Sequence, residues 1–161
     1  MRGLERKPMT KDHIKLIAEN RKARHEYFIE DRYEAGLVLL GTEVKALRQG
    51  RANLKDSYAR FRKGDLYVHQ MHISPYPFAY YNNHEPLRTR KALMHSHELR
   101  QLIGKLNEKG YSLIPLRLYF RGSKVKVELA LAKGKRQYDK RQTIRNREEQ
   151  RELQRQRKEN K

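Results

Sequence analysis

The chain has 161 residues and a mass of 19.4 kDa, room for one domain with an appendage and too little for two full cores. Its 38 Lys and Arg against 19 Asp and Glu give a formal net charge of +19, which calls for a polyanionic partner: nucleic acid first, a phosphate-rich membrane surface next, with a merely soluble basic domain as the third reading. The lack of cysteine excludes disulfides, thiol catalysis and Cys-ligated zinc, no apolar run approaches the ~20 residues that cross a bilayer, and residues 1–15 carry no apolar stretch for a signal peptide, so a cytoplasmic location is expected.

In residues 25–36, Tyr27, Ile29 and Tyr33 alternate with Glu26, Glu30, Arg32 and Glu34, which predicts a half-buried strand. Residues 36–41 are a continuous Leu and Val run between glycines and predict a second, more deeply buried strand. Thr42 is placed to cap a short helical turn through Val44 and Leu47 that stops before Gly50. Two strands follow at about 54–61 and 66–73, joined as a hairpin by Arg62, Lys63, Gly64 and Asp65. Residues 74–86 hold three prolines, three tyrosines and two adjacent asparagines and read as a loop, followed by a basic stretch at Arg88, Arg90 and Lys91. The clearest helix has Ser96 as N-cap, Glu98 in its first turn, Leu99, Leu102, Ile103 and Leu106 on one face, and Gly110 as its stop. A second hairpin, 111–120 and 124–132, turns at Arg121, Gly122 and Ser123, and Pro115 marks an edge or a bulge in its first strand. Six short strands and one good helix predict a mainly β fold, a small closed or nearly closed antiparallel barrel over residues 1–132.

Residues 133–161 differ in composition. Their only apolar or aromatic members are Tyr138, Ile144 and Leu153, and 12 basic against 5 acidic residues give +7, leaving +12 on residues 1–132. Such a segment buries too little to offset its ordering entropy and is expected to be disordered in isolation. From Thr143 onward it has no Gly or Pro, and it pairs Glu148 with Arg151 and Glu152 with Arg155, so it is expected to become helical once a polyanion neutralises it.

No constellation supports catalysis or a bound metal. His69 and His72, three apart in a predicted strand, point to opposite faces, and His13, His25, His84, His95 and His97 have no acidic cluster beside them; they read as surface or base-stacking histidines. Glu30 and Asp31 also lie on opposite faces, Glu148 and Glu149 sit in the tail, and GTEVKALRQG lacks the Walker pattern. The expectation is a protein that is not an enzyme and needs no cofactor. Basic residues interleaved with aromatics instead fit RNA, where Lys and Arg hold phosphates and flat rings stack on unpaired bases. Tyr27, Phe28, Phe61 and Phe120 are expected in the core, whereas Tyr76, Phe78, Tyr80 and Tyr81 sit in the Pro-punctuated loop. Glu34 reads either as a turn residue at a strand end or as an acceptor for a base edge or 2′-OH, and spacing alone leaves both open.

The runs NRKARHEYFIEDRYEAGLVLLGTEVKALRQGRANLKDSYAR (20–60), MHISPY (71–76), RTRKALM (88–94), LRLYF (116–120) and KVELALAKGKRQYDKR (126–141) resemble the SmpB family, the SsrA-binding proteins of bacterial trans-translation. The resemblance spans residues 13–147 in order. It implies an oligonucleotide-binding (OB) type β-barrel with flanking helices, a monomer that binds the tRNA-like domain of tmRNA. That RNA, charged with alanine and carried by elongation factor Tu with GTP, is delivered to 70S ribosomes stalled on messages without a stop codon. By resemblance Asn20, Glu34 and Leu93 bind the RNA, while Arg21, Lys22, Arg24, Arg90 and Lys91 are placed to hold its backbone. Leu93 also reads as a core residue ahead of the helix. The tail motif stands here as Gly134, Lys135, Asp139, Lys140 and Arg141, with Tyr138 where some relatives carry His; the resemblance implies that the tail enters the decoding centre and the empty mRNA channel as a helix. Two rivals predict different behaviour: a structural ribosomal protein would be constant in ribosomes, and a nuclease would cleave RNA with a metal.

Overall fold

The structure, a computed structural model, describes residues 13–108 and 110–159, with side chains undescribed at Gln137, Tyr138 and Glu159. Residues 1–12, most of the segment read for a signal peptide, lie outside the described residues.

The fold is mainly β. In chain order the elements are β1 (Ile14–Glu19), α1 (Ala23–Glu26), β2 (Tyr27–Leu37), α2 (Gly41–Arg48), β3 (Ala52–Asn53), β4 (Tyr58–Arg62), β5 (Asp65–His69), β6 (His72–Ile73), β7 (Arg90–Leu93), α3 (Ser96–Leu106), β8 (Tyr111–Arg121), β9 (Lys124–Gly134) and α4 (Gln137–Glu159). All pairings are antiparallel, and they run in the order β8, β4, β5, β7, β2, β9 and back to β8; β1 is added beside β8, and β3 pairs with β6 apart from this ring. The interior holds Leu66, Val68, Leu118, Val127, Leu129 and Leu131, closed over by Ala46 and Leu47 of α2 and Leu102 of α3. The period-two pattern of β9 produces this: its valines and leucines point inward while Lys124 and Lys126 stay out.

Both predicted hairpins form, but the strands of the first are shorter than the 54–61 and 66–73 expected: β4 starts at Tyr58, β5 ends at His69, and His72–Ile73 pairs with β3 instead. Arg62 pairs with Asp65 across Lys63 and Gly64, whose φ values of 51° and 83° make the two-residue turn that matches strand twist. Pro115 does mark a bulge: the register with β9 shifts between Pro115 and Arg117, leaving Leu116 as the extra residue.

The six strands of the ring are not the six predicted. The run 36–41 ends as a strand at Leu37 and is not deeply buried: Leu39 packs on the core, while Val38 and Leu40 are 46% and 47% exposed. Its place in the ring is taken by β7, which the sequence presents only as a basic stretch, because Arg90 occupies an inward position where an apolar residue would announce a strand. The helix caps also shift by one or two residues. α2 starts after Leu40, whose N–H donates to Glu43 Oε1 at 2.9 Å, and Ser96 is the first residue of α3 rather than its cap. Phe28, expected in the core, is 49% exposed.

Candidate nucleic-acid interface

β2, β7, β8 and β9 lie side by side, and their outward residues make one continuous face. On β2 the alternation that buries Ala35 turns Arg32, Glu34 and Gly36 outward. Across β9, Glu34 stands opposite Glu128 and Gly36 opposite Lys126; across β7, Gly36 stands opposite Leu93. β8 adds Arg117 opposite Glu128 and Tyr119 opposite Lys126.

Glu34 has its partners on this face. Its carboxylate accepts the hydroxyl of Tyr119 and the Arg121 guanidinium at 2.8 and 3.1 Å, with the Glu34 side chain 35% exposed. Partial burial pushes the acid up, but the bonds from Tyr119 and Arg121 and the charges of Arg121 and Lys126 outweigh it and hold it below the ordinary glutamate range. Burial and the same carboxylate push the Tyr119 hydroxyl well above its ordinary value, so it stays a donor. Glu34 is therefore an ionised acceptor, oriented by two donors and open on its remaining side. Glu128, only 10% exposed at its side chain, is bound by Arg117 Nε at 2.5 Å and by Arg32 Nη1 at 3.4 Å.

Leu93 is not a core residue: it is 51% exposed. Gly36 lies directly against it: a Cβ there would meet the Leu93 Cβ at 3.6 Å and Lys126 Nζ at 3.9 Å, ordinary van der Waals contact. Lys91 stays outward with its amine 3.4 Å from Asp65. Arg90 does not belong to the face. Its guanidinium is fully buried, ion-paired to Glu43, and donates to the carbonyls of Met71 at 2.6 Å and Pro86 at 3.2 Å. No phosphate reaches it, so the expectation that it holds RNA backbone is corrected.

Asn20 lies at the other end of this face, where Arg24, Arg32, Arg117 and Glu128 line a shallow depression with it. Its side-chain amide donates to the carbonyls of Pro115 at 3.1 Å and Leu54 at 3.4 Å, and its backbone N–H to Leu116 at 2.7 Å. Asn20 thus fastens the start of α1 to the β8 bulge. Arg21, Lys22 and Arg24 are exposed around it.

The tail root sits at the Tyr27 end of β2, remote from Gly36. Gly134 pairs with Tyr27, and the Lys135 backbone N–H donates to Glu26 at 2.8 Å. The Lys135 amine lies over the Phe28 ring at 4.9 Å and donates to the Arg24 carbonyl at 3.1 Å and to Thr143 Oγ1 at 3.0 Å. Asp139 and Lys140 are half-buried in the first turns of α4, Arg141 is exposed, and the Tyr138 side chain lies outside the described residues. Four of the histidines are engaged locally. His69 stacks on Tyr58 at 5.1 Å, His95 stacks on His97 at 5.8 Å, and His84 is buried between Thr42 Oγ1 and the Ile73 carbonyl, each at 2.9 Å.

Sequence reasoning missed Tyr119, Arg121, Lys126, Arg117 and Glu128. Alternation alone puts Lys126 and Glu128 on one face of β9, but the Pro115 bulge shifts the phase of β8, and only the pairing brings Tyr119 and Arg121 to Glu34.

The family model described as SmpB protein matches residues 17–159. The SsrA-binding protein of Syntrophobacter fumaroxidans is 61% identical over 152 residues, 94% of each chain. That of Geobacillus thermodenitrificans is 56% identical over 147 residues, 91% of this chain and 95% of the relative. A chain of the solved structure described as "tmRNA-SmpB: a journey to the center of the bacterial ribosome" superposes with a TM-score of 0.64 at 49% identity, over 80% of this chain and 94% of that one. With the family model and these relatives all running along nearly its full length, the chain belongs to the SmpB family.

Proposed function

We propose that the outward face of β2, β7, β8 and β9 binds the tRNA-like domain of tmRNA and carries it to stalled ribosomes for tagging. The observation that carries the reading is the ionised, partly exposed Glu34 beside the uncovered Leu93 in a cationic field. A carboxylate repels phosphate, so its place at the centre of a basic face fits recognition of base N–H groups or a 2′-OH. Leu93 offers an apolar contact to a base or ribose, and Lys91, Lys126, Arg21, Lys22 and Arg24 offer cations to the backbone. Asn20 and Arg90 act by positioning, one on the β8 bulge and the other on β7.

In this reading the closed ring of six strands is an OB-type barrel, and the protein works in the cytoplasm as a monomer with alanyl-tmRNA, elongation factor Tu and GTP, without catalysing a reaction. The chain beyond β9 is the second functional unit: α4 enters the decoding centre and the empty mRNA channel as a helix, where basic side chains such as Lys140 and Arg141 meet rRNA phosphate. The similarity to SsrA-binding proteins and to the solved tmRNA-SmpB structure, and the +7 charge of the tail, support it.

Glu34→Ala is the test. Affinity for the isolated tRNA-like domain at fixed salt should fall by roughly 5- to 150-fold, the range of about 1–3 kcal/mol for a well-placed base contact, with the circular dichroism spectrum unchanged. Undiminished affinity removes Glu34 from the interface.

A further inference from the structure

The loop between β6 and β7 is unexplained by the face above. It holds Phe78 at 67% exposure and Tyr80 and Tyr81 at 87% each, the most exposed large apolar side chains among the described residues. Aromatic rings are normally the residues a fold buries first, since each covers about 150–250 Å².

The loop is built rather than loose. Asn83 Oδ1 accepts the N–H groups of Tyr76 at 3.2 Å and His84 at 3.1 Å, and its Nδ2 donates to the carbonyls of Tyr76 at 2.9 Å and Ala79 at 3.3 Å. The buried His84 ties the loop to Thr42, and the Lys45 amine lies 5.6 Å from the Tyr76 ring centre, which in turn meets Phe78 edge-on. These ties prepay the ordering of the backbone that presents the rings.

The surroundings identify the occupant. Lys45 and Arg51 are exposed at the base of the loop, where the Arg51 carbonyl accepts the Ser74 N–H at 3.0 Å, and the whole chain carries +19. Rings beside cations on a basic protein fit unpaired nucleotides, because every base has a flat face and every nucleotide a phosphate; paired bases hide theirs. The loop also adjoins the RNA face. Val38 donates its N–H to the Lys91 carbonyl at 3.0 Å and its own carbonyl accepts Arg88 Nη2 at 3.2 Å, which ties the end of β2 to the segment joining the loop to β7.

We propose that Phe78, Tyr80 and Tyr81 are a second contact with the same RNA, a preformed platform on which its unpaired bases stack next to the segment held by Glu34 and Leu93. This inference rests on the proposed function. The test measures binding of the full chain to the tRNA-like domain of tmRNA across a salt series, for the triple variant F78S/Y80S/Y81S. Stacking predicts at least about tenfold weaker binding, an unchanged slope of affinity against salt because no phosphate contact is lost, and an unchanged melting temperature. The conservative pair Y80F/Y81F should bind like the parent, because the ring and not the hydroxyl makes the contact. Unchanged affinity of the triple variant overturns the proposal, as does a loss that appears only as a shallower salt slope. So does normal tmRNA binding with weakened binding to ribosomes free of tmRNA, which assigns the loop to ribosomal RNA. Glu34→Ala, measured in parallel, separates the two readings: loss there but not in the triple variant overturns the platform alone, and loss in neither overturns both.

Discussion

Two carboxylates directly opposite each other in a sheet repel, and β2 and β9 place Glu34 against Glu128. The arrangement persists because each has its own cations: Arg121 and Lys126 for Glu34, Arg117 and Arg32 for Glu128. A third carboxylate, Glu43, does structural work. It is fully buried, caps the N–H of Leu40, and binds both Arg88 and Arg90. Burial pushes its acid up, but the Leu40 N–H and the two guanidiniums prevail and hold it below the ordinary range. A carboxylate depressed in the folded state contributes stability that is present above the unfolded value, about 4.3, and is lost as pH falls through the folded one. Glu43→Ala leaves Arg90 buried without its partner and should lower stability at neutral pH by about 3–5 kcal/mol. In denaturant melts between neutral pH and pH ~3, the parent should lose stability below the ordinary glutamate range, while the variant loses less over that window; parallel pH profiles contradict the role given to Glu43. Glu34 was legible in the sequence as a residue of interest but not as a partner of Tyr119, 85 positions away. Arg90 was misplaced for the same reason: sequence shows an arginine in a basic stretch, and only folding brings Glu43, 47 positions away, to bury it.

At the scale of elements, strands with clean alternation or a tight turn were readable, and β4, β5, β8 and β9 form close to where the pattern puts them. β1 and β7 were not, because charged or exposed residues mute the period in each; β7 exists through its neighbours, pairing with β2 on one side and β5 on the other. The run 36–41 misled in the opposite direction, since its apolar residues divide between core and surface. Composition drew the tail boundary at Ala132, and β9 continues to Gly134 before α4 begins at Gln137. A chain ending at Lys135 keeps the β9 pairing with Tyr27 and the Lys135 contacts to Glu26 and Arg24. It should bind the tRNA-like domain within about tenfold of the full chain, ~1.4 kcal/mol, and lose peptide tagging on stalled ribosomes. Tagging that survives the truncation removes α4 from decoding.

Across the whole molecule, the +19 charge separates into +12 on the body and +7 on residues 133–161. The two parts sit at opposite ends of β2: the tail root beside Tyr27, the Gly36 and Leu93 contact near its other terminus. At about 3.3 Å per residue, an 11-residue strand puts the Gly36 and Leu93 contact roughly 30 Å from the tail root, while Arg24, whose carbonyl accepts the Lys135 amine, joins the near end of the face to that root. Charge alone specified a polyanion; the pairing of Glu34 with Tyr119 and Arg121 supplies a face that can select one. The most direct measurement is sequencing of the RNA that co-purifies with the full chain and with a Glu34→Ala/Leu93→Ala variant. One non-ribosomal RNA, tmRNA, should be strongly enriched with the parent and lost with the variant. Ribosomal RNA at constant stoichiometry, or tmRNA recovered equally with both proteins, contradicts the proposed function.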